Sequence, residues 1–267
     1  MSTSLIRSLQ DAREIYMNRV PGPVALDRID YEPAGSRDKS QTTERLYPSR
    51  FNSRYYILTL LRRTMKAVTK QYVWQGRGQV VVDYGCGTSP YRPLFEKYVS
   101  SYIGVDLPGQ TAANAFVGTN GATNLADSSA DIVLSTQVLE HVNRPSTYLQ
   151  ECHRILKQSG LLVLSTHGYW MYHPDPCDFW RWTSSGLQRA IRECDFEIVE
   201  FLGLMGLAST SVQLFQDACM PKIPGFARPL FSWFMQSVAM LLDKLHSPSA
   251  RTREACLFVV IARKTEG

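Results

Sequence analysis

Residues 79–89 read Gln-Val-Val-Val-Asp-Tyr-Gly-Cys-Gly-Thr-Ser. Val80, Val81 and Val82 are consecutive β-branched residues, as in a strand buried on both faces of a parallel sheet. The strand closes on an acid, Asp83, and the chain passes at once through Tyr84, Gly85, Cys86 and Gly87. Glycines there lack the Cβ that would hold a ligand off the backbone at the strand's carboxyl end, so a small ligand is expected on this turn. Position 90 is proline, which spoils the third glycine of a dinucleotide fingerprint. A second strand, 101–105, is closed by Asp106, twenty-three positions after Asp83. An acid there suits the diol of a ribose, and the expected ligand is a nucleoside.

Two further stretches keep the order. Residues 130–142 read Ala-Asp-Ile-Val-Leu-Ser-Thr-Gln-Val-Leu-Glu-His-Val, and residues 149–165 run from Leu-Gln-Glu-Cys-His-Arg-Ile-Leu to Gly-Leu-Leu-Val-Leu-Ser. With the glycine turn, they resemble the class I S-adenosylmethionine-dependent methyltransferases over about residues 75–203. The resemblance implies S-adenosylmethionine as cofactor, S-adenosylhomocysteine as product and no metal. It assigns cofactor contacts to Asp83, Tyr84, Gly85, Cys86, Gly87, Asp106, Leu107 and Gln137, and places Arg54, Tyr55 and Tyr56 of a leading helix near the methionine carboxylate. Surface and core packing is the competing reading of those last three. Ser89 stands where the family has its third glycine. The segment 118–125 lacks the acid that would bind the adenine amino group, which leaves Asn120, Asn124 or a backbone group for that task.

Strands are expected at 79–84, 101–105, 115–118, 131–136, 160–166, 196–202 and 255–262, with helices at 90–99, 146–157 and 184–193. This alternation predicts an α/β fold, a doubly wound, Rossmann-like, mostly parallel sheet. The resemblance adds that the last of its seven strands runs antiparallel. Residues 1–74 read as a linker and helical cover before a methyltransferase domain at 75–267. Residues 20–50, rich in proline, glycine and charge, read as linker or surface loop. Residues 51–73 read as an amphipathic helix with Tyr55, Leu58, Leu61, Met65 and Val68 on one side and Arg62, Arg63 and Lys66 on the other. A helical insertion spans about 204–253, where Phe231, Phe234, Val238, Leu241, Leu242 and Leu245 recur at helical spacing. The first reading of that face is packing on its own domain; a homodimer interface, a substrate lid and shallow membrane docking are the others.

The totals exclude several classes. The 267 residues, 44% of them hydrophobic, fit one elaborated domain. A net charge of +5, spread without a basic block, gives no reason to expect nucleic acid. Six cysteines at 86, 152, 177, 194, 219 and 256 include no Cys-x-x-Cys pair, against both a zinc site and a disulfide framework. No apolar run reaches the roughly 20 residues that span a bilayer, and no signal peptide is evident. The expectation is a cytoplasmic protein, peripheral to a membrane at most.

The segment 167–183, His-Gly-Tyr-Trp-Met-Tyr-His-Pro-Asp-Pro-Cys-Asp-Phe-Trp-Arg-Trp-Thr, follows the fifth strand and is far richer in aromatic and charged groups than a connector needs. Its His-Pro-x-Pro-x-Asp-Phe-Trp-Arg-x-Thr core resembles methyltransferases of cell-surface glycan pathways. Aromatic faces beside charged groups suit a sugar, so Tyr169, Trp170, Asp175, Asp178, Trp180 and Arg181 are candidate acceptor contacts. The competing reading has the tryptophans closing the core, Thr183 capping the next helix and Asp178 pairing with Arg181. Methylation of a hydroxyl needs a base, and the histidines rank His167, His173, His141 by their place after the strands. The expected activity is O-methylation of a sugar or glycan precursor. A lipid, quinone or other hydrophobic acceptor is the first alternative, and a catalytically silent cofactor-binding subunit the second.

Overall fold

The computed structural model describes residues 39–73, 78–110, 112–118, 121–174 and 177–265. Seven strands form one sheet: β1 (Val80–Tyr84), β2 (Ser101–Asp106), β3 (Ala115–Phe116), β4 (Ala130–Thr136), β5 (Leu156–His167), β6 (Phe196–Gly206) and β7 (Ala255–Lys264). Their order is β3-β2-β1-β4-β5-β7-β6. β1 to β5 pair in parallel, whereas β7 runs antiparallel between β5 and β6, as expected. The chain moves outward from β1 to β3 and then returns to place β4 on the other side of β1. Strand order reverses between β1 and β4, and this topology places a ligand outside the carboxyl ends of those strands.

The valine run is buried on both faces. Val82 packs with Tyr84, Val133, Leu149 and Leu162, while Val81 packs with Leu61, Met65, Phe95 and Ile132 on the opposite side. Each face carries helices. They are α1 (Lys39–Leu46), α2 (Tyr55–Val68), α3 (Arg92–Phe95), α4 (Pro145–Ile155), α5 (Ser184–Arg192), α6 (Leu207–Cys219), α7 (Arg228–Asp243) and α8 (Pro248–Arg253). α2 buries Ile57, Leu61, Met65 and Val68 and runs on into a π-helical turn at Thr69–Val73.

Two expectations are corrected. The stretch read as linker contains α1 within its described residues; Leu46 is buried beside α2, and Arg62 donates to its carbonyl at 3.1 Å. The insertion begins only after β6 ends at Gly206, and the apolar stripe of α7 packs on its own domain only in part, with Phe231, Val238 and Leu242 half-buried. Phe234, Leu241 and Leu245 are 56%, 62% and 74% exposed, whereas Ser232, Met235, Gln236, Ala239 and Asp243 face inward. That orientation is stable because the buried polar groups are paired. The Gln236 amide donates to Gln213 and Gln216 Oε1, both at 2.9 Å, and its own Oε1 accepts from the Tyr56 backbone at 2.8 Å. Among the described residues, no helix is long and apolar enough to cross a membrane.

Candidate active site at the carboxyl end of the sheet

The glycine turn has the geometry its residues require. Gly85 has a φ of 79°, and a Cβ there would meet a Val138 methyl at 2.4 Å, so no other residue fits. Gly87 follows at φ 53°, and Ser89, in place of the third glycine, adopts φ 49°. Asp83 is buried, with Oδ2 accepting from the Tyr102 hydroxyl at 2.6 Å. The Ser89 hydroxyl interacts with the Asp83 carboxyl, while the buried Tyr91 hydroxyl has no hydrogen bond. An unpartnered buried hydroxyl beside a glycine floor fits a polar ligand. Burial pushes the Asp83 carboxyl up to about 7; the Tyr102 hydrogen bond opposes the rise and the Asp106 charge adds to it. Asp106, at the end of β2, accepts from the backbone of Gly87 at 2.6 Å and of Leu107 at 2.7 Å, which aims the carboxylate across the turn. Cys86 is buried, and burial, reinforced by the charges of Asp83 and Asp106, raises its thiol far out of the nucleophilic range. The Tyr84 hydroxyl donates to the Gly121 carbonyl at 2.8 Å, which ties the 118–125 segment to β1. In that segment Asn124 is exposed, and Asn120 lies outside the described residues.

The ends of β4 and β5 bring Gln137, Glu140 and His167 together. Gln137 leaves β4 with φ 57°, a left-handed conformation that costs a non-glycine residue about 1 kcal/mol or more. Its Oε1 accepts from Arg45 of α1 at 3.2 Å, so its amide donates to Nε2 of His167 at 3.1 Å. The His167 proton therefore sits on Nδ1, which faces Glu140 Oε1 at 2.6 Å. The other oxygen of Glu140 accepts from the Thr166 hydroxyl at 2.8 Å. Burial alone would raise the Glu140 carboxyl, but its close contacts with the His167 and His141 rings hold it below the ordinary value. The result is a fully buried carboxylate fixing the tautomer of a histidine whose Nε2 lone pair is presented toward Gln137.

His173 and His141 complete the cluster. The His173 ring stands edge-on to both His167 and His141, with centroids 4.8 and 5.0 Å away. Burial and the neighbouring His167 lower its pKa, against the pull of Asp178. His141 Nδ1 donates to the Cys177 carbonyl. One donor atom each of Glu140, His141 and His173 lie within 4.8 Å of one another. Trp170 stacks on His167 at 5.0 Å, and Arg54 lies over the Trp170 ring at 4.6 Å.

Other candidates are placed differently. Arg54 is ion-paired with Asp217 of α6 and donates to the Met171 sulfur at 3.2 Å. Tyr55 lines a separate groove with Arg50, Arg63 and Trp233, to which the glycine turn contributes nothing. The Asp178 side chain is 1% exposed and accepts from Arg181 at 2.5 and 2.6 Å and from the His173 backbone at 2.8 Å. Arg181 also holds the Trp170 carbonyl at 3.0 Å, so this pair ties the loop together. Thr183 caps α5 through Gly186 at 3.1 Å. Tyr169 and Trp180 are exposed, Trp180 with its Nε1 bonded to the Val142 carbonyl at 2.8 Å. Asp175 lies outside the described residues. Glu140 stands out from sequence only as a carboxylate one turn past β4, and nothing in the 20–50 stretch marks Arg45.

A methyltransferase domain family matches residues 82–164. A probable S-adenosylmethionine-dependent methyltransferase of Mycolicibacterium smegmatis is 24% identical over 178 residues, 61% of this chain and 67% of that protein. An uncharacterized methyltransferase of Mycobacterium bovis is 38% identical over 99 residues, 33% of this chain; the match spans 39% of the relative's length. Among solved structures, the [4+2]-cyclase SpnF aligns at a TM-score of 0.53 with 17% identity, covering 81% of this chain and 86% of its own. A putative sarcosine dimethylglycine methyltransferase from Galdieria sulphuraria aligns at 0.51 with 14% identity, covering 78% and 86%. At such identities the structural likeness speaks for the fold alone. The strand order, the glycine turn and the matched segments together support a class I S-adenosylmethionine-dependent methyltransferase.

Proposed function

We propose that this protein methylates a hydroxyl of a sugar or sugar-lipid precursor, with His167 taking the hydroxyl proton. The observation that carries the reading is the buried Glu140–His167 pair, 2.6 Å apart, with Nε2 of the histidine directed at Gln137. When bound, S-adenosylmethionine supplies a methyl group already activated by a sulfonium charge. The chain's part is to hold the acceptor oxygen about 3 to 3.5 Å from that methyl, in line, and to exclude water. Asp83, Gly85, Gly87 and Asp106 would hold the nucleoside half. Arg45, reaching Gln137 from α1, is better placed than the Asp217-bound Arg54 to meet the methionine carboxylate. An acceptor hydroxyl that displaces the Gln137 amide from Nε2 meets a lone pair, and Glu140 stabilises the imidazolium that forms. Trp170, stacked on the ring, keeps water off it.

The second reading keeps the cofactor and exchanges the sugar for a lipid or quinone. The exposed apolar side of α7 favours it. Labelled cofactor incubated with the protein and fractionated cell extract, followed by mass spectrometry of the labelled product, separates the two. Binding of S-adenosylhomocysteine in a calorimeter without any labelled product would leave the silent-subunit reading.

A further inference from the structure

The hairpin α6–α7 is built inside out. Ser209, Thr210, Gln213 and Gln216 of α6 face inward with the polar stripe of α7, and the amides of Gln213 and Gln216 donate to the Ser53 carbonyl at 3.1 and 2.8 Å. Outward stand Phe215, Phe226, Leu230, Phe234, Leu241 and Leu245, each more than half exposed; Phe226, at the turn, reaches 90%. An apolar surface of this kind on a folded domain marks an interaction site.

Charge identifies what it meets. Between 204 and 247 the chain holds only two carboxylates, Asp217 and Asp243. Both are turned inward, paired with Arg54 and with Arg251. Lys222, Arg228 and Lys244 are exposed on this segment, and no carboxylate of it faces outward with them. Beside α7 runs a groove of about 470 Å³ whose lining includes Arg50, Arg63, Lys244, Tyr56 and Trp233 and contains no acid. A two-fold pairing of this face with a second copy would bring like charges together with no carboxylate to answer them. An anionic bilayer supplies both what the apolar residues need and what the cations need.

We propose that the α6–α7 hairpin seats on an anionic lipid surface, with Phe226, Leu230 and the outward side of α7 at the acyl boundary. The groove cations then take a lipid phosphate. The inference stands apart from the methyltransferase reading.

The test is co-sedimentation of the full chain with vesicles of phosphatidylcholine alone and of phosphatidylcholine with phosphatidylglycerol in equal parts. Mixed vesicles should bind at least about tenfold more tightly, and added salt should weaken that binding. Phe226→Ser with Leu230→Ser should cut the binding tenfold or more, and Arg63→Gln or Lys244→Gln about fivefold each. All variants should keep the wild-type melting temperature and affinity for S-adenosylhomocysteine, which shows that the fold and the cofactor site are intact. Equal or absent binding to both vesicle types overturns the proposal. So does a dimer in light scattering that these variants dissociate, which would assign the face to a second copy. Thermal protection by inorganic phosphate without vesicle binding also overturns it.

Discussion

Oε1 of Glu140 lies 2.6 Å from Nδ1 of His167, with both side chains buried and the two residues twenty-seven positions apart in the chain. The contact fixes which nitrogen carries the proton. His167→Ala should lower turnover by roughly 10²- to 10⁴-fold while leaving S-adenosylhomocysteine affinity nearly intact. Glu140→Gln should reproduce part of that loss, about 10- to 100-fold, as outer partners of histidines do. Steady-state kinetics with calorimetry checks both, and unchanged turnover in His167→Ala removes it from the role.

Asp83 provides a stability signature. Its carboxyl is raised from 3.8 to about 7, chiefly by burial, so between those values the folded state binds more protons than the unfolded one. Its contribution is therefore favourable at low pH and is lost as pH rises toward 7. Asp83→Asn removes the titration. Without cofactor, the melting-temperature difference between variant and wild type should grow in the variant's favour from pH 5 to pH 8. At the same time the variant should bind S-adenosylhomocysteine more weakly. A pH-independent difference would contradict the assignment.

Gly85→Ala should cost roughly 2–4 kcal/mol, because the new methyl meets Val138 at 2.4 Å and the backbone sits at φ 79°. Chemical denaturation measures this loss, and cofactor binding should fall with it.

The Arg54–Asp217 pair joins the start of α2 to α6, with the Asp217 side chain 7% exposed. Burial raises the Asp217 carboxyl although Arg54 opposes it. Arg54→Ala strands that carboxylate and should destabilise by roughly 2–3 kcal/mol; Asp217→Asn should cost less, since it removes the charge itself. A double-mutant cycle on denaturation midpoints tests the order.

Dialysis against a chelator should leave turnover unchanged. Glu140 already meets Thr166 and His167, and His141 Nδ1 is bonded to the Cys177 carbonyl. A loss of turnover restored by zinc would instead assign Glu140, His141 and His173 as metal ligands.

Much of the frame was legible because its signals are local. Val80–Val82, the spacing of Gly85 and Gly87, and the acids closing β1 and β2 place the expected ligand site without any long-range information. The antiparallel β7 needed family resemblance, since alternation carries no direction. What escaped depends on distant pairing. The partner of Arg54 lies 163 positions away in α6, and the link from Arg45 to Gln137 spans 92. The α7 stripe packs only in part, because apolar spacing shows that a face exists and says nothing about which way it turns. Here the Gln236–Gln213–Gln216 network, invisible to periodicity, wins the interior.

The position of β7 bears on how the chain is made. Residues 255–264 are translated after every other strand, yet they form the ladder on both β5 and β6. Until they emerge from the ribosome, two long strands present bare hydrogen-bonding edges, which invite association between nascent chains. Synthesis of this protein should therefore lean on chaperones late, and pauses just upstream of codon 255 should lower its yield more than pauses elsewhere.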